Sequence, residues 1–148
     1  MDVKQKTWRV GPSLNTKRVH HACFIDKENE NIYVIGGKNE NNIGLSSTEI
    51  LNISDDKWIF GKDLPAPIYK SQAVQARSTF YAGYLVGGID WLKGGYVSHI
   101  IALRKSDQTW LKTSKSLQTA RYGVSAVNVL LEDISGCYPG QYICLNNN

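Results

Sequence analysis

The stretch "IYVIGGKNENN", Ile32–Asn42, decides the reading of this chain. A β-branched and aromatic run ends on two glycines and turns polar at once. That is how a strand leaving a sheet looks. A single Gly pair carries little information, but "YVIGG" at Tyr33–Gly37 returns as "YLVGG" at Tyr84–Gly88, 51 residues later. Trp8, Trp58 and Trp110 follow a similar interval, and so do Leu14, Leu64 and Leu117. Three independent markers in phase make an internal repeat of about 50 residues.

Each unit divides into four short runs with strand character, a to d. Strand a is "HHACFID" or "SQAVQAR", and strand b ends on the Gly pair. Strand c is "STEILNI" or "SHIIAL", and strand d carries the Trp in "DKWIF" or "QTWLK". Turn formers such as "DKENEN", "GKNENN" and "GKDLPAP" separate them. No segment keeps a 3.6-residue period over three turns, so the expected fold is all-β, built of four-stranded antiparallel units.

The phased Gly pair, the Tyr three residues before it (Tyr33, Tyr84) and the Trp of strand d resemble the kelch repeat, over about residues 7–131. The resemblance implies part of a kelch-type β-propeller. The expected division is 7–12 as strand d of a preceding blade, 13–62 as one blade, 63–115 as a second, and 116–148 as an incomplete third. A closed propeller needs four to eight blades. These residues therefore read as part of a larger protein, as one member of an assembly, or as an open stack. The Gly pair should permit positive φ and close approach of a neighbouring backbone. The Trp should fill the wedge between outer strands. Two departures stand out in the second unit: His99 lies near the place of Glu49, and Ile68 replaces the Arg found at Arg18 and Arg121. The third unit fades, with Leu145 and Asn146 where a Gly pair would fall after Tyr142.

Composition narrows the function classes. An apolar fraction of 42% with 20% charged residues is globular. No apolar run nears bilayer length, and the N-terminal residues lack the apolar centre of a signal peptide. An intracellular, cytoplasmic location is expected, with cytoskeletal association as an alternative. The net charge of +4 is dispersed, without the stripe that nucleic-acid binding needs. Three cysteines, Cys23, Cys137 and Cys144, make no disulfide framework. Cys23, in an apolar run, is expected in the core. His20 and His21, adjacent on a strand, point to opposite faces and cannot easily share an ion.

No catalytic constellation emerges. "GGKNENN" and "GGIDWLKGG" lack the phosphate-loop pattern, and "GVSAV" lacks the second Gly of a nucleophile elbow. No enzyme activity, metal or cofactor is expected. Binding fits better. The b–c loops (38–46 and 89–97) and the d–a connections (61–70 and 112–120) should emerge on one face. Trp91, Lys93 and Tyr96 join an aromatic anchor to a cation there, as interaction hot spots do. The family resemblance adds the residues after the Gly pair, Lys38, Asn39, Ile89 and Asp90, and the arginines Arg18 and Arg121. His20 and Tyr69 sit beside them. The partner implied is a protein or peptide, with neither nucleic acid nor membrane. The resemblance points to substrate recognition or scaffolding, as in kelch adaptors of cullin-type ubiquitin ligases. The ligase machinery would dock through BTB, BACK or F-box segments not found among these residues. An actin-binding kelch protein, or a piece of a propeller oxidase, is the alternative.

Overall fold

The computed structural model describes residues 7, 8 and 10–127. Ten strands follow in chain order: β1 (Ala22–Asp26), β2 (Asn31–Ile35), β3 (Thr48–Asn52), β4 (Ile59–Phe60), β5 (Ile68–Tyr69), β6 (Gln72–Gln75), β7 (Tyr81–Val86), β8 (Ile89–Asp90), β9 (His99–Arg104) and β10 (Trp110–Ser116). The described residues contain no helix. Two four-stranded antiparallel sheets carry the fold, one ordered β1-β2-β3-β4 and the other β6-β7-β9-β10. These are strands a to d of two successive units, each a simple meander, which is the form of a propeller blade. Of the segment expected to begin the array, residues 10–12 are not in a strand. Residues 128–148, which hold Cys137, Tyr142 and Cys144, lie outside the described residues.

The two sheets face each other through one apolar layer. Phe24 and Tyr33 of the first stack at 4.7 Å. They share a buried cluster with Ala73, Ala82, Leu85, Ile101, Leu103 and Trp110 of the second. Strand alternation selects the side chains: along β1, Ala22, Phe24 and Asp26 are buried while Cys23 and Ile25 face away. This corrects the expectation for Cys23, which is exposed. The apolar run around it has its inward positions at even numbers, and Cys23 falls between them.

The Gly pairs behave as their spacing requires. Gly36 and Gly37 have φ of 61° and 94°, and Gly87 and Gly88 have 65° and 105°. A side chain could not be accommodated: a Cβ on Gly37 would lie 2.6 Å from the Val19 carbonyl oxygen, and one on Gly87 2.7 Å from that of Arg121. The space is taken by backbone leading into a strand a, that of its own unit at Gly37 and that of the next unit at Gly87. Gly37 N–H donates to the Ile68 carbonyl and Gly88 N–H to the Arg121 carbonyl, both at 2.9 Å. A second joint runs the other way. Lys70 N–H donates to the His20 carbonyl, and Gly123 N–H to the Lys70 carbonyl. His20, Lys70 and Gly123 hold the same place in successive units, and all three have positive φ, 56°, 55° and 61°.

The tryptophans tie each strand d to the unit before it. Trp110 is buried, and its indole N–H donates to Thr48 Oγ1 at 3.0 Å. Trp58 is half-buried and donates to the Pro12 carbonyl. Trp8, by contrast, is exposed.

Candidate functional site

The loops that follow strands b and d meet on one face. Backbone bonds weld them before any side chain is considered. Lys38, just after the first Gly pair, exchanges two hydrogen bonds with Val19. One repeat later β5 pairs with β8, setting Ile68 opposite Asp90 and Tyr69 opposite Ile89. Trp91 N–H then donates to the Pro67 carbonyl. A small extra ladder thus supports the loop face, where the sequence showed only turn residues.

On this frame three loops bring Lys38, Tyr69 and Trp91 together. The Tyr69 and Trp91 rings meet edge-on with centroids 6.2 Å apart. The Lys38 ammonium lies 4.2 Å from the Tyr69 centroid and 4.7 Å from that of Trp91, a cation–π geometry on two faces. Lys38 Nζ also donates to Asn42 Oδ1 at 3.1 Å. Gly44 leaves room for the Trp91 ring: a Cβ there would collide with it. Trp91 nevertheless stays 36% exposed, so it is braced from beneath and open above.

The other expected residues divide into builders and surface groups. Asp90 is buried, and its Oδ1 accepts the N–H groups of Leu92 and Lys93, shaping the turn that presents Trp91. Asn39 Oδ1 accepts from Asn41 and Ile43 N–H and does the same for the first b–c loop. His20 is exposed and contributes its carbonyl to the inter-unit joint. Lys93, Tyr96 and Arg121 are exposed. Arg121 Nε donates to the Thr119 carbonyl at 3.3 Å.

Arg18 does not share that surface. Its side chain is wholly buried against Glu49, with Nη2 2.6 Å from Glu49 Oε1. Nη1 donates to the carbonyls of Gly36 and Ser47, and Glu49 further accepts Asn15 and Thr16 N–H. The pair locks the entry of β1 onto β3. The pairing register also revises the second unit. Val34 faces Glu49, and its counterpart Leu85 faces Ile101, not His99. The Arg18–Glu49 pair is therefore replaced by Ile68 and Ile101, both 1% exposed. Two departures that looked separate in sequence are one exchange of an ion pair for two apolar side chains.

Two residues on the face were not among those expected. Tyr122 lies 4.9 Å from Tyr96, centroid to centroid, and the Lys70 ammonium stands 5.3 Å above its ring. The signal was available: Tyr122 is to "LQTARYG" what Tyr69 is to "LPAPIYK". His99, half-buried nearby, has its pKa lowered by burial and then by Lys112 and Lys93. Among the described residues no three His, Cys, Asp or Glu side chains are placed to hold a metal ion. No helix there is long and apolar enough to cross a membrane.

Comparison with known proteins adds an independent observation: the Kelch motif matches residues 29–65, from the turn before β2 through the first Gly pair and Trp58 to the d–a connection. The first unit thus contains a Kelch motif. The chain is similar to an F-box/kelch-repeat protein of Arabidopsis thaliana, 30% identical over 84 residues, which is 55% of this chain and 22% of that protein. Beta-scruin of Limulus polyphemus is 32% identical over 89 residues, 60% of this chain and 9% of that protein. A second F-box/kelch-repeat protein of Arabidopsis thaliana is 30% identical over 95 residues, 62% of this chain and 25% of the relative. The matched segments thus span a quarter or less of each of these relatives. The fold is that of part of a kelch-type propeller.

Proposed function

We propose that these kelch repeats are a protein-recognition module whose contact surface is the face of the b–c loops and d–a connections. The observation that carries this reading is the convergence of Lys38, Tyr69 and Trp91 from three separate loops. Rings held rigidly from below and open above lose little freedom on binding, as hot-spot residues do. Lys93, Tyr96, Tyr122 and Arg121 extend the surface. Arg18, Asp90 and Asn39 shape it from inside. The role proposed is capture of substrate for a ubiquitin ligase, and the similarity to two F-box/kelch-repeat proteins supports it.

Site-directed photocrosslinking in cells tests the surface. A benzophenone side chain at Leu92, 76% exposed beside Trp91, is expected to form protein adducts. The same group at Phe80, 73% exposed on the a–b turn, is expected to form few. Trp91→Ala should abolish the Leu92 adducts while moving the urea midpoint little. Equal adducts at both positions, or adducts indifferent to Trp91→Ala, would move the contact surface elsewhere. The ligase role predicts that a cullin co-purifies with the product of the complete transcript, and its absence would remove that role.

A further inference from the structure

We infer that the loop face takes an extended acidic segment of a partner protein, held at two lysine–aromatic stations one repeat apart. This rests on the reading of that face as the interaction surface and adds the partner's chemistry. The first station is Tyr69 with Lys38 and Trp91, and the second is Tyr122 with Lys70 and Tyr96. Tyr69 and Tyr122 occupy the same place in successive units. Each directly precedes a residue of positive φ, Lys70 or Gly123, whose N–H forms the inter-unit joint. The spacing of the stations is thereby fixed by backbone.

Each station holds an ammonium group above a ring. The ring orders the lysine stem without using up the three N–H donors, so a carboxylate can still be met from solvent. Lys38 spends one donor on Asn42. Charge is distributed to match. On the loop face Lys17, Lys38, Lys70, Lys93 and Arg121 outnumber the exposed acids, Glu40 and Asp63. Lys17 and Glu40 pair with each other at 3.4 Å, leaving the stations uncancelled. The inward acids are already engaged, Glu49 with Arg18 and Asp90 with backbone amides. The opposite rim is balanced: Lys27, Lys57, Arg77, Arg104 and Lys105 stand among Glu28, Glu30, Asp55, Asp56 and Asp107. Arg104 pairs there with Asp107, and Lys105 with Glu28. The positive field is therefore one-sided, which steers and selects acidic partners.

The test is fluorescence anisotropy with three labelled peptides. All share one length and one pair of leucines, and they carry glutamate, glutamine or lysine at the same intervening positions. The glutamate peptide is expected to bind at least tenfold more tightly than the glutamine peptide, and the lysine peptide not at all. Its affinity should fall as NaCl rises. Lys38→Glu with Lys70→Glu should weaken it tenfold or more, Lys38→Arg with Lys70→Arg should preserve it, and Lys27→Glu with Lys57→Glu should leave it unchanged. Equal binding of glutamine or lysine peptides, loss through the opposite-rim variant, or tighter binding of a single-stranded oligonucleotide would each overturn the inference. Protein adducts at Leu92 without preference for the glutamate peptide would sink the acidic partner and leave the face standing. Absence of both adducts and peptide binding would sink both.

Discussion

The Arg18–Glu49 pair is a charge buried because a second charge is buried with it. Bringing two ions out of water is costly, and their attraction offsets that cost only when every remaining polar atom finds a partner. Here Arg18 Nε has none among the described residues. The following unit solves the same packing problem with Ile68 and Ile101. Removing one charge should be worse than removing both. Glu49→Gln or Arg18→Met should cost about 3–5 kcal/mol, whereas the double variant Arg18→Ile with Glu49→Ile should return to within about 1 kcal/mol of the parent. Urea denaturation of the four proteins checks this, and additive losses would refute the coupling. Sequence made both halves of the exchange visible but misaligned one, because His99 and Glu49 match by counting and Ile101 matches by pairing. The b–c connection is the irregularity that counting misses: 12 residues separate Gly88 from Ile101, against 11 between Gly37 and Glu49. The exposed half of the site was easier. Trp91 and Lys38 stand beside conspicuous glycines, while Arg18 lies at an equally regular position and turns inward.

At the level of the strand, spacing was a good guide and length was not. The period, the four runs per unit and the Gly pairs all translate into observed elements. β4 has only two residues while β10 has seven. The difference lies in what the outermost strand leans on. Trp110 is anchored through its indole to Thr48 of β3, which fixes β10 along the preceding sheet. Trp58, on a backbone carbonyl at Pro12, is only half-buried, and Ile59 and Phe60 after it are exposed. Thr48→Val keeps the shape of the side chain and leaves a buried indole N–H without an acceptor, so it should cost about 1–3 kcal/mol. Trp110→Phe combined with Thr48→Val removes both polar groups, and its loss should fall short of the sum of the single losses. A double-mutant cycle measured by urea unfolding decides between coupling and simple loss of packing.

For the molecule as a whole, two histidines link stability to pH on the acid side. His21 has its pKa lowered by burial and next by Arg18, and His99 by burial and next by Lys112 and Lys93. Each is therefore harder to protonate folded than unfolded. A depressed histidine contributes fully above its unfolded pKa, near 6.5, and that contribution is lost as pH falls through the lower folded value. The urea midpoint should hold from pH 8 to 7 and decline below about pH 6.5, and His21→Gln with His99→Gln should flatten the decline. An unchanged slope in the double variant would assign the acid sensitivity to carboxylates instead.

The joint through His20, Lys70 and Gly123 has a further consequence at this scale. Its donors and acceptors are main-chain atoms, reciprocated by the Gly37 and Gly88 amides, so the join depends on a backbone conformation and not on matched side chains. Three different residue types already fill the one position. Such a coupling is indifferent to which unit stands next to which. Gene duplication can lengthen an array of this kind by a whole unit, and the loops are left free to diverge while the seam carries over unaltered.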